Sequence, residues 1–277
     1  MEFVTVNIPK PGPVAIMPLG DIQYAGKGGP TAMDLLKHRI DDGLKAGALF
    51  IGMGDYIDFM SPSNRQKRAA AAFYDWTEEV IDEKSIELTH DIYEKALKPT
   101  KGRWIGLLQG HHFTKLSTGE TTDQKLAELL GTQFLGDTVY GRLAFKGHGD
   151  VTFWASHGCG GGQRSAAPVN KLETLANYWE ADIFMLGHMT KMAASPINRI
   201  YPLWKTAVPH LRHKKILLVG CGGFCKGYIE RSKIGRVPQG SYVEKGLMNP
   251  AILGNPLIRV GPNTEEAMWQ PNITVEL

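Results

Sequence analysis

Asp21, Asp55, His111, His112, His157 and His188 each follow an apolar run that ends at a glycine- or serine-flanked tip. The clearest case is Ala48-Leu49-Phe50-Ile51-Gly52-Met53-Gly54-Asp55. Such a run reads as a buried strand, and its glycines let the chain turn sharply at the end. The turn presents Asp55 at the strand's carboxyl edge, where open α/β sheets bind ligands. Four of the nine histidines sit at these tips, a concentration that scattered surface histidines would not show. One such Asp or His is a turn residue or a hydrogen-bonded core group. Five tips together supply the carboxylates and imidazoles that a transition-metal centre needs. A structural zinc site is disfavoured, because such sites prefer cysteine at local spacing and these groups are spread from Asp21 to His188.

These residues need strands that end side by side. Phe3–Ile8 alternates as an edge strand until Pro9, Pro11 and Pro13 break it. Val14–Leu19 is the first core strand. After the loop Gly26-Lys27-Gly28-Gly29-Pro30, Thr31 and Asp34 form a capping-box pattern for a helix to about Ala46, stopped by Gly47. Further strands are expected at Ala48–Met53, Trp104–Leu108, Arg142–Phe145, Val151–Ser156, Asp182–Leu186 and Ile216–Val219. Thr121 and Gln124 cap a helix that stops at Gly131, and another helix covers roughly 168–180. A charged helical insertion at about 61–98 carries Phe73, Trp76, Val80, Ile81, Leu88 and Ile92 near helical spacing. Its basic cluster, Arg65, Lys67 and Arg68, reads as a solvated face.

The 277 residues, 43% hydrophobic and 21% charged, have an ordinary soluble balance, and the spread of motifs favours one domain over 1–277. A net charge of +3 does not imply nucleic-acid binding, and no basic stripe with interleaved aromatics is evident. Three cysteines without a C-x-x-C pair read as reduced thiols. Without a signal-like start or a membrane-length apolar run, the expectation is a soluble cytoplasmic protein. Oligomeric state is not legible.

In order, Asp21-Ile22-Gln23, Gly54-Asp55, Gly110-His111-His112, His157-Gly158 and Gly187-His188-Met189-Thr190 resemble the signature of the calcineurin-like metallophosphoesterases: Asp-x-His, Gly-Asp, Gly-Asn-His, a lone His, then Gly-His-x-His. Gly222-Gly223-Phe224-Cys225-Lys226-Gly227-Tyr228 is similar to a late segment of phage-type members. The resemblance implies an α/β fold, a four-layer α/β/β/α sandwich of two mixed β-sheets flanked by helices. It implies a two-metal centre that generates hydroxide for attack on phosphorus. One ion takes Asp21, Gln23, Asp55 and Thr190, and the other takes Asp55, His111, His157 and His188. His112 is implied as the non-ligand catalytic histidine.

Three positions depart from the pattern: Gln23 and Thr190 replace histidines, and His111 replaces asparagine. Both losses fall on the first position and the gain falls on the second. The expectation is a nitrogen-rich site for Zn, Fe, Ni or Mn beside a weaker oxygen-rich one for Mn or Mg. Arg164, Lys27 and Lys191 follow metal-site turns and are candidates for holding substrate phosphate. Asp58 is a candidate partner of the centre or a helix cap, and Cys159 reads as a loop thiol. The resemblance implies phosphoester hydrolysis, and of diesters before monoesters, because members of the family with the histidine matched by His112 commonly cleave diesters. The alternatives are a degenerate, non-catalytic metal-binding relative, motivated by Gln23 and Thr190, and a nuclease.

Overall fold

The computed structural model describes residues 1–9, 12–60, 74–204, 208–234, 237–262 and 272–277. Two six-stranded mixed sheets face each other. The first has the order β1 (Glu2–Ile8), β6 (Thr138–Phe145), β7 (Val151–Ser156), β8 (Ile183–Leu186), β10 (His210–Cys221), β9 (Met192–Leu203). The second has the order β14 (Ile273–Glu276), β13 (Leu257–Val260), β2 (Val14–Leu19), β3 (Leu49–Gly52), β4 (Trp104–Leu108), β5 (Phe134–Gly136). β2 to β5 are mutually parallel, as are β7, β8 and β10. β11 (Lys233–Ile234) and β12 (Val237–Pro238) form a separate small hairpin.

Alternation along each strand creates the layers. Ile16, Ile51, Ile105 and Leu108 point between the sheets and meet Val139, Phe153, Met185 and Val219. On the outer side of the second sheet, Leu19 and Leu107 pack under α1 (Met33–Lys45) and α3 (Thr122–Leu130). On the outer side of the first, Trp154, Phe184 and Leu218 pack under α4 (Ala167–Leu175). The result is the α/β/β/α layering expected from the resemblance. Strands covered on both faces are why the central runs are nearly all apolar.

Several local expectations change. α1 has Ala32 at its N-cap and no side-chain cap. The Thr31 hydroxyl instead lies 3.0 and 3.1 Å from the carbonyl oxygens of Ile22 and Gln23, so it staples the first tip. The capping box of α3 forms as expected, and Gly131 ends the helix at φ 67°. α4 ends at Leu175, short of the expected 180. β10 is longer than expected and pairs with β9. Of the insertion, the described part is α2 (Asp75–Ile92), which runs on as a π-helical turn over Tyr93–Leu97. Ile92 is buried, but Trp76 is 73% exposed, so the apolar positions of α2 do not share one core face. Arg65, Lys67, Arg68 and Phe73 lie outside the described residues. Among the described residues, no helix is long and apolar enough to cross a membrane.

Candidate metal centre

The tips of both sheets meet at one rim. Asp21, Asp55 and the pair His111 and His112 follow β2, β3 and β4, and His157 and His188 follow β7 and β8. Backbone bonds join the tips: Asp21 N–H donates to Gly54 O, Gln23 N–H to Asp55 O and Phe224 N–H to Asp21 O, each at 2.9 Å. Two groups of ligand atoms cluster there, one from His111, His157 and His188 and one from Asp21, Asp55 and His157, each within 4.8 Å.

The local chemistry leaves one donor atom free on each carboxylate. Asp21 Oδ2 accepts the His188 N–H at 2.9 Å, and buried Oδ1 has no hydrogen-bond partner. Asp55 Oδ1 accepts the backbone N–H groups of His111 and His112, and buried Oδ2 has none. His157 Nδ1 lies 2.7 Å from Met53 O, which fixes its proton there and turns Nε2 towards Asp55 Oδ2 at 3.4 Å. His111 Nδ1 and His188 Nδ1 are 3.1 Å apart. Two nitrogens about 2.0–2.1 Å from one ion, at roughly tetrahedral or octahedral angles, are about 3 Å apart. Buried polar atoms without partners are costly, and this donor set fits a divalent cation.

Electrostatics agree with that fit. Burial pushes Asp21 up to about 7, against the pull of His157. Burial also pushes Asp55 upwards, but His157 and the His112 N–H outweigh it and hold the carboxyl well below the usual range. Burial lowers His157, yet Asp55 and Asp21 lift it to about 9. Burial, with His157 and His111 nearby, lowers His188 to about 4. A carboxylate that resists ionising and an imidazole that resists releasing its proton, side by side, fit a centre that binds positive charge.

The backbone is strained at the same place. Asp21, Gln23, Asp55, His188 and Thr190 have φ of 48°, 47°, 56°, 62° and 51°. Among the described residues only Arg231 and Leu247 otherwise combine a side chain with positive φ. Each such residue costs about 1–3 kcal/mol and persists where surrounding structure imposes it, typically at functional sites. Gln23 and Thr190 share the conformation of the carboxylates and imidazole beside them.

Two glycines make the convergence possible. Gly54 turns at φ +91°, and a Cβ there would stand 2.7 Å from Gly110 Cα and from His157 Nδ1. At Gly110 a Cβ would stand 2.1 Å from Asp55 N. Gly110→Ala should therefore push the His111 turn off Asp55 and cost about 1–3 kcal/mol of stability. Retention of both Tm and metal affinity in this variant would contradict that close approach.

Other candidates fall in different places. His112 has Nδ1 2.9 Å from Asp58 Oδ1, so Asp58 is its partner; Nε2 is 3.7 Å from Asp55 Oδ2. A cleft of about 760 Å³ opens at Asp58 and is lined also by Lys27, Phe59, Leu88, Asp91 and Lys95. Lys191 donates to Asn249 O at 2.9 Å and is thereby engaged. Arg164 is exposed, and Cys159 lies in the loop with its carbonyl accepting from Lys171. Asp123, not singled out by the sequence, is buried and accepts Gly110 N–H at 3.1 Å; burial pushes it up to about 7.

No protein-family model matches the chain, and no curated protein matches it. A solved structure from Streptococcus pneumoniae TIGR4, a conserved uncharacterized protein described as a predicted phosphoesterase, aligns over 90% of this chain and 82% of its own. Identity is 12% and the TM-score 0.33. The functional reading therefore rests on the chain's own residues.

Proposed function

We propose that the protein is a metal-dependent phosphoesterase of the calcineurin-like kind, acting on phosphodiesters in preference to monoesters. One observation carries this reading: five segments in the family's order bring the buried, unpartnered oxygens Asp21 Oδ1 and Asp55 Oδ2 and the imidazoles of His111, His157 and His188 to one rim. His111, His157, His188 and Asp55 Oδ2 would hold one ion, of Zn, Fe, Ni or Mn type. Asp21 and Asp55, with Gln23 and Thr190, would hold a second, of Mn or Mg type. When bound, such ions polarise a phosphoryl group and lower the pKa of water to near neutrality.

The chain's own contribution is position and proton. Asp58, whose carboxylate stands 2.9 Å from His112 Nδ1, would steady the imidazolium, so that Nε2 could hand its proton to the departing oxygen. The cleft at Asp58 gives the leaving group room on that side, with Lys27 on its wall. Lys191, tied to Asn249, is a weaker candidate for holding phosphate than Lys27.

Hydrolysis of bis(p-nitrophenyl) phosphate with Mn²⁺ supplied tests the reading. Turnover that disappears with chelator and returns with Mn²⁺ supports it. A folded protein that binds metal but turns over no diester with any divalent ion would favour the non-catalytic binding module.

A further inference from the structure

The open donor atoms are unequally shared between the two metal positions. The nitrogens of His111, His157 and His188 lie within 4.8 Å of one another, and Asp55 Oδ2 stands 3.4 Å from His157 Nε2; together they would make a four-coordinate set from protein alone. The neighbouring position has Asp21 Oδ1 as its one unshared charged donor, because Asp21 Oδ2 is taken by His188 N–H and Asp55 Oδ1 by two N–H groups. His157 is spent as well: its Nδ1–H is donated to Met53 O, so it has one lone pair to give. What remains are Gln23 and Thr190, which could offer only neutral oxygens and share the strained backbone of the ligands beside them. A hard divalent cation takes about six oxygens, the remainder from water or a ligand; even if Gln23 and Thr190 both contribute, this position offers four from the protein, two of them neutral.

Charge points the same way. Two carboxylates beside two dications leave positive charge uncompensated in a buried site, where it is costly. A phosphate group supplies both the missing oxygens and the missing negative charge. Resting on the phosphoesterase reading above, we infer that the Asp21–Gln23–Thr190 position takes its Mn²⁺ or Mg²⁺ together with a phosphate group and not ahead of it. Gln23 and Thr190 are the residues that impose this order. Two histidines there would fill the position without phosphate, and histidine tolerates left-handed backbone better than a β-branched residue does.

The test is a Mn²⁺ titration of metal-free protein by calorimetry, with and without millimolar inorganic phosphate, paired with electron paramagnetic resonance of bound Mn²⁺. Without phosphate the protein should bind one tight equivalent and show the spectrum of an isolated ion. With phosphate a second equivalent should bind about tenfold or more tightly than in its absence, with the broadened spectrum of a coupled pair. The double variant Gln23→His with Thr190→His should take two equivalents in plain buffer. If it does not fold by circular dichroism, Gln23→His alone should narrow the gap between the two affinities. Two equivalents of similar affinity without phosphate would overturn the inference and leave the phosphoesterase reading standing. So would a second site indifferent to phosphate. Failure to bind even one equivalent would remove that reading as well.

Discussion

Replacing His112 by alanine should lower kcat by about 10²–10⁴-fold on a diester whose leaving group is an alkoxide, such as a 2′,3′-cyclic nucleotide. The metal content should not change. The imidazole touches Asp58 on one side and faces the centre on the other, and it belongs to neither of the two clusters of ligand atoms. The size of the loss should depend on the leaving group. An alkoxide needs a proton as it departs, whereas p-nitrophenolate leaves without one. On bis(p-nitrophenyl) phosphate the same variant should therefore lose much less, only whatever His112 contributes by steadying phosphoryl charge. Asp58→Asn should move in the same direction by a smaller factor, because it removes the charge behind the imidazole and keeps the side chain's shape. Equal losses on both substrates would show that His112 acts on bound phosphate and not on the leaving group. No loss on either would remove it from the reaction.

The sequence reveals the tips better than it reveals their shape. Apolar runs ending in Gly-Asp or Gly-His are local signals, and the four central ones stand at β2, β3, β4 and β8. β9 is not legible because Ser195, Pro196, Asn198 and Pro202 interrupt any apolar alternation. It is an edge strand, where proline costs no ladder bond that a neighbour needs. The left-handed backbone at Gln23 and Thr190 was hidden for a different reason. Neither residue type favours it, and bonds from other segments impose it, such as Gln23 N–H to Asp55 O. Thr31 carries a cap's signature and serves the neighbouring turn instead. Asp123 looks like an ordinary acidic residue in a helix's first turn, and only burial against Gly110 ties it to the site. Spacing therefore identifies which groups meet, whereas their tautomers, open lone pairs and strain depend on contacts between distant segments.

Metal should reverse the sign of the protein's stability-versus-pH slope above neutrality. Consider first the protein in chelator. His157 is raised from 6.5 to about 9, so the stability it contributes is complete below 6.5 and is lost as pH rises through about 9. Asp21 and Asp123 are raised from 3.8 to about 7, so their contributions fade as pH climbs towards 7 and are gone above it. His188, lowered to about 4, and Asp55, held below its usual range, act oppositely, but their windows lie below 6.5 and below 3.8. Between pH 6.5 and 9 the slope in chelator is therefore negative. With Mn²⁺ or Zn²⁺ present, protons on His157 and Asp21 compete with the ion, so raising the pH tightens binding and Tm should climb. At a free ion concentration a hundredfold above Kd the gain is about 2.7 kcal/mol, or roughly 5–10 °C for a chain of this size. Thermal melts at pH 6.5, 7.5 and 9, with chelator and with metal, should give diverging lines. His157→Ala should flatten the chelator line and abolish most of the metal-induced gain. Parallel lines, or a chelator line that rises with pH, would mean that the buried Asp21–Asp55–His157 group does not titrate as a cation site must.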